Sequence, residues 1–219
     1  MRTAAARVAL PVLAILVIAA LLGATNSDRV GLSAERLRRI DAMIEQRIAT
    51  GDLTGAVTVI ARRGQVAHVS VHGVMDLDNR KPMATDTMSR NVYFRGSGGL
   101  VSTAESYVRF GIMLANQGEL DGVRLLSRKS VEMLRAVHVP DTLPGRPAGE
   151  GYGLSVRVVT DHAARGTLLS DGSYGWSGGQ GTHFFVDPEE QLVGILMVQT
   201  PNDEVRRDFE NLAAQAIAD

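Results

Sequence analysis

Gly175-Trp176-Ser177-Gly178-Gly179 sets a serine between glycines in the G-x-S-x-G spacing of a nucleophilic serine. Such a serine attacks a carbonyl carbon and needs a base beside it and donors for the oxyanion. The spacing is short and recurs by chance. A nucleophile elbow also needs a strand before the serine and a helix after it. Here Leu168 to Gly175 reads as a loop, and Gly178-Gly179-Gln180-Gly181-Thr182 leads into an aromatic run. Glycines at that density resist a helix. The plainer reading is a glycine-rich approach to a strand whose backbone must come close to something, and the residues favour it.

The remaining candidates are weaker. His68 and His72 stand four apart in a strand-like run, with no Asp or Glu ligand near them in sequence. They read as solvent-facing strand histidines and not as metal ligands. His138 and His162 fall in loops. Asp76 and Asp78 flank a turn, where short polar side chains are expected. Arg62-Arg63 reads as a solvated hairpin tip. Phe184 and Phe185 alternate, so one belongs to the core and the other to an open face. No phosphate loop or zinc motif is present, and no cofactor is expected.

These residues must be held by a mixed fold. Leu37, Ile40, Met43, Ile44 and Ile48 share one helical face behind a Ser33 N-cap. Two β-branched runs then flank Arg62-Arg63-Gly64-Gln65, the pattern of a hairpin. Ser102 and Glu105 have capping-box spacing at the head of a helix that closes on Gly118, and Ser127 to Val137 is a second short helix. Tyr152 to Thr160, Thr182 to Pro188 and Gln191 to Thr200 are three strands. A last helix puts Val205, Phe209, Leu212, Ala213 and Ala216 on one face. Helix and hairpin first, strands and helix last, predict an α+β fold: an antiparallel sheet covered by its N- and C-terminal helices.

The 219 residues carry a formal net charge of −1, which gives no reason to expect nucleic acid as a partner. The absence of cysteine excludes disulfides, thiolate metal sites and a lipoprotein anchor. Arg2 and Arg7 precede Val8–Ala24, a run without charge. Basic start, apolar run and small exit residues fit a secretory signal. Leu22 is an imperfect exit residue, so an uncleaved membrane anchor stays open beside it. Residues 1–26 are set aside on this reading, and the protein is expected outside the cytoplasm or anchored to the membrane.

From Gly31 the chain resembles the serine β-lactamase-related family: class C β-lactamases, penicillin-binding DD-peptidases and their esterase relatives. Gly31–Asp76 is similar to that family's first helix and hairpin, and Lys81–Arg90 to the lead-in to its nucleophile helix. Gly96–Ala136 is similar to the return from its helical domain, and Gly151–Val159 with Gly172–Thr200 to the strands lining its active site. Trp176-Ser177-Gly178 resembles the Trp-x-Gly form of its third motif. The resemblance therefore implies that Trp176, Ser177, Gly178 and Gly179 line the substrate cleft, with Ser177 in its wall and not the nucleophile.

The departures are equally specific. In the family the nucleophile is the serine of Ser-x-x-Lys, and no serine of this chain has lysine three residues on. Ser127-Arg128-Lys129-Ser130 offers lysine at plus two, on another helical face. The Tyr-x-Asn motif is missing as well. The resemblance implies that residues 27–219 are a truncated domain of this type, with a deletion junction near 89–95 and the all-helical domain largely missing. Two function classes follow. One is an exported serine hydrolase relative acting on β-lactams, D-Ala-D-Ala peptides or esters, inactive as it stands; the other is a non-catalytic cell-envelope binding module or broken gene product. Partners implied are a small-molecule or peptidoglycan-type substrate, with membrane attachment through the N-terminal segment and oligomer formation both open.

Overall fold

The computed structural model describes residues 26–76, 78, 80–85 and 102–219. The apolar run Val8–Ala24 and the expected junction at 89–95 lie outside these residues. Among the described residues no helix is long and apolar enough to cross a membrane.

Helix α1, Ala34–Ala49, starts where expected: Ser33 is its N-cap and accepts from the Arg36 amide at 3.3 Å. It buries Leu37, Ile40 and Ile44. Strands β1, Gly55–Arg62, and β2, Gln65–Asp76, form the predicted hairpin. Arg63 (φ 52°) and Gly64 (φ 74°) are both left-handed, the backbone that matches strand twist in a two-residue turn. Strand β3 is the short Lys81–Pro82.

Helix α2, Ala104–Ala115, is capped one residue later than expected. Thr103, not Ser102, accepts from the Ser106 amide at 3.1 Å. A small hairpin of β4, Glu119–Leu120, and β5, Val123–Arg124, precedes α3, Arg128–Arg135. The single strand expected over Tyr152–Thr160 is instead a hairpin of β6, Glu150–Tyr152, and β7, Arg157–Val159. Its turn holds Ser155 at φ 62°, which breaks the extended run. Helix α4 is His162–Arg165; then come β8, Tyr174–Ser177, β9, His183–Asp187, β10, Leu192–Val198, and helix α5, Asp203–Gln215.

Eight strands form one antiparallel sheet in the order β3-β2-β1-β10-β9-β8-β7-β6. The first hairpin thus pairs with the last strand, Ala56 opposite Val198. Helices α1 and α5 cover one face as predicted; Phe209 of α5 meets Phe185 edge-on at 5.9 Å there. Helix α2 covers the other face, over Val57, Val59, Val193 and Ile195. With both faces covered, every residue of β1 is buried.

Arg62 departs from the expected solvated tip. It is only 4% exposed, and its guanidinium donates to the Val30 and Gly31 carbonyls at 3.0 Å each. It also pairs with Glu190 at 2.6 Å and with Asp219. As the last residue of β1 it ends beneath the layer where residues 30–33 meet 216–219, so its charge is taken up by backbone carbonyls and two carboxylates. Arg63, the other half of that motif, is the exposed one and pairs with Asp219.

Candidate functional site

The sheet register decides where the Trp-x-Gly residues point. Trp176 lies opposite Phe184, and Ser177 opposite His183. Consecutive strand residues face opposite ways, so Trp176 and Phe184 leave one face and Ser177 and His183 the other. Phe184 sits under α2, against Tyr107 at 5.3 Å and Phe110 at 6.1 Å. Phe185 belongs to the α5 side. Both phenylalanines are buried, so the expectation that one lines an open face is corrected: α2 covers it. Trp176 stays 44% exposed at the end of β8, with the Tyr152 ring 6.1 Å away. Gly178 and Gly179 follow in the exposed turn to β9, where the Gly178 amide donates to the Thr182 carbonyl at 2.7 Å. Gly175 explains part of the glycine density: a Cβ there would strike the Phe184 carbonyl of the neighbouring strand.

Ser177 has an unexpected environment. Its Oγ lies 2.6 Å from Arg157 Nη2 and 3.4 Å from Arg206 Nη1, and 2.9 Å from His183 Nδ1. A guanidinium only donates, so Oγ accepts from both arginines and its own proton goes to His183 Nδ1. The imidazole proton then sits on Nε2, which is 2.9 Å from Glu210 Oε1 but not aligned for a hydrogen bond. Serine, imidazole and carboxylate in sequence imitate a catalytic relay. The hydroxyl is nevertheless saturated: with Cβ and three nitrogen neighbours around it, no lone pair is left to attack a carbonyl. It is followed by a turn and a strand, not by a helix. Ser177 is a hub that ties β7, β9 and α5 together. Ser177→Ala is expected to lower unfolding stability by about 1–2 kcal/mol, because half-buried Arg157 loses an acceptor. A urea midpoint equal to wild type, at an unchanged m value, would contradict the hub.

Beneath that hub runs a buried chain of charges. Glu210, 1% exposed, receives both Nη atoms of Arg165, at 2.9 and 3.2 Å. Arg165 also reaches Glu150 at 3.2 Å. Burial alone would raise the Glu210 carboxyl; His183 and the two-pronged contact with Arg165 overcome it and hold the group at about 2. Burial pushes His183 below its ordinary value, against the upward pull of Glu210. The imidazole is therefore neutral at pH 7, as the Ser177 hydrogen bond requires. Glu150, Arg157, Arg165, His183 and Glu210 line a small cavity whose lining does not include Trp176. Sequence reasoning passed over Glu210, Arg157, Arg165 and Arg206. One signal was available: Glu210 is a carboxylate inside the apolar stripe of α5.

The other histidines are also placed. His68 and His72 do not face solvent. His68 Nε2 lies 3.0 Å and His72 Nε2 3.5 Å from Asp41 Oδ1, and His72 Nδ1 lies 3.4 Å from Glu45. The acidic partners come from α1, which covers this face of β2 and is far away in sequence. Among the described residues no group of three or more His, Asp or Glu side chains is arranged to hold a metal ion. His138 bonds the Met133 carbonyl at 3.0 Å, and His162 pairs with Asp171 at 3.0 Å. Asp76 ends β2, and Asp78 lies in the turn that follows.

A family model described as Beta-lactamase matches residues 88–219. The chain belongs to that family. Its fold agrees: the hydrolase EstCE1, described as having promiscuous acyltransferase activity, superposes with a TM-score of 0.68 at 11% identity, over 84% of this chain and 98% of its own. A penicillin-binding protein homologue from Caulobacter crescentus gives 0.65 at 12% identity, over 82% of this chain and 96% of its own. An octameric penicillin-binding protein homologue from Pyrococcus abyssi gives 0.65 at 10%, over 82% and 76%. Two Mycobacterium tuberculosis proteins, Protein Rv1367c and the uncharacterised protein MT1414, are 38% identical over 117 residues, which is 49% of this chain. The chain spans 29% of the length of those curated relatives. As a β-lactamase-family member it carries its Trp-x-Gly residues at the end of β8, between β7 and β9, with Trp176 outward and Ser177 inward.

Proposed function

We propose that this chain is an exported β-lactamase-family protein that binds small acyl- or peptide-type ligands along Trp176–Gly179 and does not acylate itself. The observation that carries the reading is in the sequence: no serine is followed by lysine at plus three. Acylation by this family's route needs that lysine one helical turn on, to accept the serine proton. Ser177 does not substitute for it, because its lone pairs are committed to Arg157 and Arg206. Ligand binding at Trp176 is supported by its exposure and by hydrolase relatives that share the fold. Export is supported by the uncharged run Val8–Ala24 behind Arg2 and Arg7.

The test is direct. Incubation with a fluorescent penicillin and with p-nitrophenyl acetate is expected to give no covalent adduct and no hydrolysis above background. A stoichiometric penicilloyl adduct on any serine, seen by mass spectrometry, would overturn the non-acylating reading. A reporter active only outside the cytoplasm, fused after the N-terminal segment, is expected to be active; silence of that fusion would remove the export part alone.

A further inference from the structure

We propose that the corner formed by Trp176, Tyr152 and Arg146 takes a planar aromatic ligand bearing a negative charge. The inference rests on the reading that the Trp176 wall binds ligand, and it names the ligand class.

Two rings make the corner. Trp176 is 44% exposed, and Tyr152 meets it edge-on, 6.1 Å between centroids at 73°. A large exposed indole beside a second ring offers a flat body an edge and a face at once. Two guanidinium groups then set the charge. Arg146 lies 4.4 Å above the Tyr152 ring, and Arg157 lies 5.8 Å from the centre of the Trp176 ring.

The two arginines differ in one respect. Arg157 is spoken for, bonded to Ser177 at 2.6 Å and facing Glu150 at 3.7 Å. Arg146 is exposed and has no carboxylate within ion-pair distance among the described residues. The nearby acids are occupied elsewhere: Glu150 is buried against Arg165, and Asp141 accepts from the Gly149 amide and the Thr160 hydroxyl at 3.0 Å each. Those same two bonds brace the loop that carries Arg146, and the Arg146 amide closes a turn onto the Leu143 carbonyl at 3.2 Å, through Gly145 at φ 81°. Arg146 is therefore a positioned cation without a counter-charge among the described residues. An anion on the ligand supplies that charge, and a guanidinium fork suits a carboxylate or sulfonate. A neutral aromatic gains the ring contact alone, and a cation is repelled.

The chain has one tryptophan, so its fluorescence reports this corner directly. The experiment titrates the full chain with 1-anilinonaphthalene-8-sulfonate and with its uncharged counterpart, N-phenyl-1-naphthylamine, and reads quenching of Trp176 emission. The sulfonate is expected to bind one-to-one and about fivefold to tenfold more tightly than the neutral probe, the effect of one charge pair near a protein surface. Arg146→Gln is expected to bring the two probes to parity, with unchanged circular dichroism. Tyr152→Leu is expected to weaken both. Equal quenching by both probes in the wild type overturns the charge inference while the wall remains a binding surface. A sulfonate preference that survives Arg146→Gln overturns the role of Arg146. No quenching by either probe overturns both this inference and the reading of the wall.

Discussion

Glu210→Ala is expected to lower the unfolding free energy by about 3–5 kcal/mol, the usual consequence of removing one partner of a buried ion pair. The carboxylate is 1% exposed and holds Arg165 through two nitrogens. Its removal leaves Arg165, itself largely buried, with Glu150 alone. Glu210→Gln keeps the shape and an acceptor oxygen and is expected to cost less. The pH dependence separates charge from packing. Glu210 is held at about 2 in the folded chain, against an ordinary 4.5. Its stabilisation is therefore fully present above pH 4.5 and is lost as pH falls from there to about 2. His183 is lowered from its ordinary 6.5, so it adds a loss of stability that begins as pH falls through 6.5. Urea unfolding between pH 7 and 3 is expected to show both losses in the wild type and a smaller acid-side loss in Glu210→Gln, which keeps the contribution of other lowered carboxylates such as Asp41. Parallel curves for the two proteins down to pH 3 would mean that the carboxylate is not held low by its neighbours.

Phe209→Ala is expected to cost about 3–5 kcal/mol as well, through loss of transfer energy and a cavity the helix cannot close. Phe209 is 0% exposed and joins α5 to the sheet through Phe185. Trp176→Ala is the matching control. The indole is larger, yet it is 44% exposed, and its removal is expected to cost less than about 1 kcal/mol. A cost at Trp176 as large as that at Phe209 would make the indole a core residue and would remove the main support for a ligand wall there.

Much of the fold was legible because periodicity and caps are local. The faces of α1 and α5 and the hairpin at Arg63-Gly64 follow from side-chain spacing and turn chemistry within a few residues. The Tyr152–Thr160 segment was misread as one strand because the apolar pattern runs through a turn whose only marker is a left-handed Ser155. The site was half legible. The motif residues fall on one strand end and its turn, but the partners of Ser177 come from three other elements. Arg157, His183 and Arg206 reach it only after the sheet and α5 are assembled. Arg62, His68 and His72 failed for the same reason: their carboxylate partners lie on distant segments, and single-sequence reasoning treats an unpartnered polar residue as solvated.

The order of the strands has a consequence for how the chain is made. During synthesis β1 and β2 emerge early and can close on each other at once, but the second edge of β1 is completed only by β10. Until then it is a bare row of amides and carbonyls on an apolar strand, open to pairing with another nascent chain. Joining it to β10 closes nearly the whole length of the domain into one loop, so folding is expected to be slow for a domain of this size. The vulnerable interval falls between translation of the first hairpin and translation of the last strand, and a holdase that binds extended apolar segments would act on β1 within it.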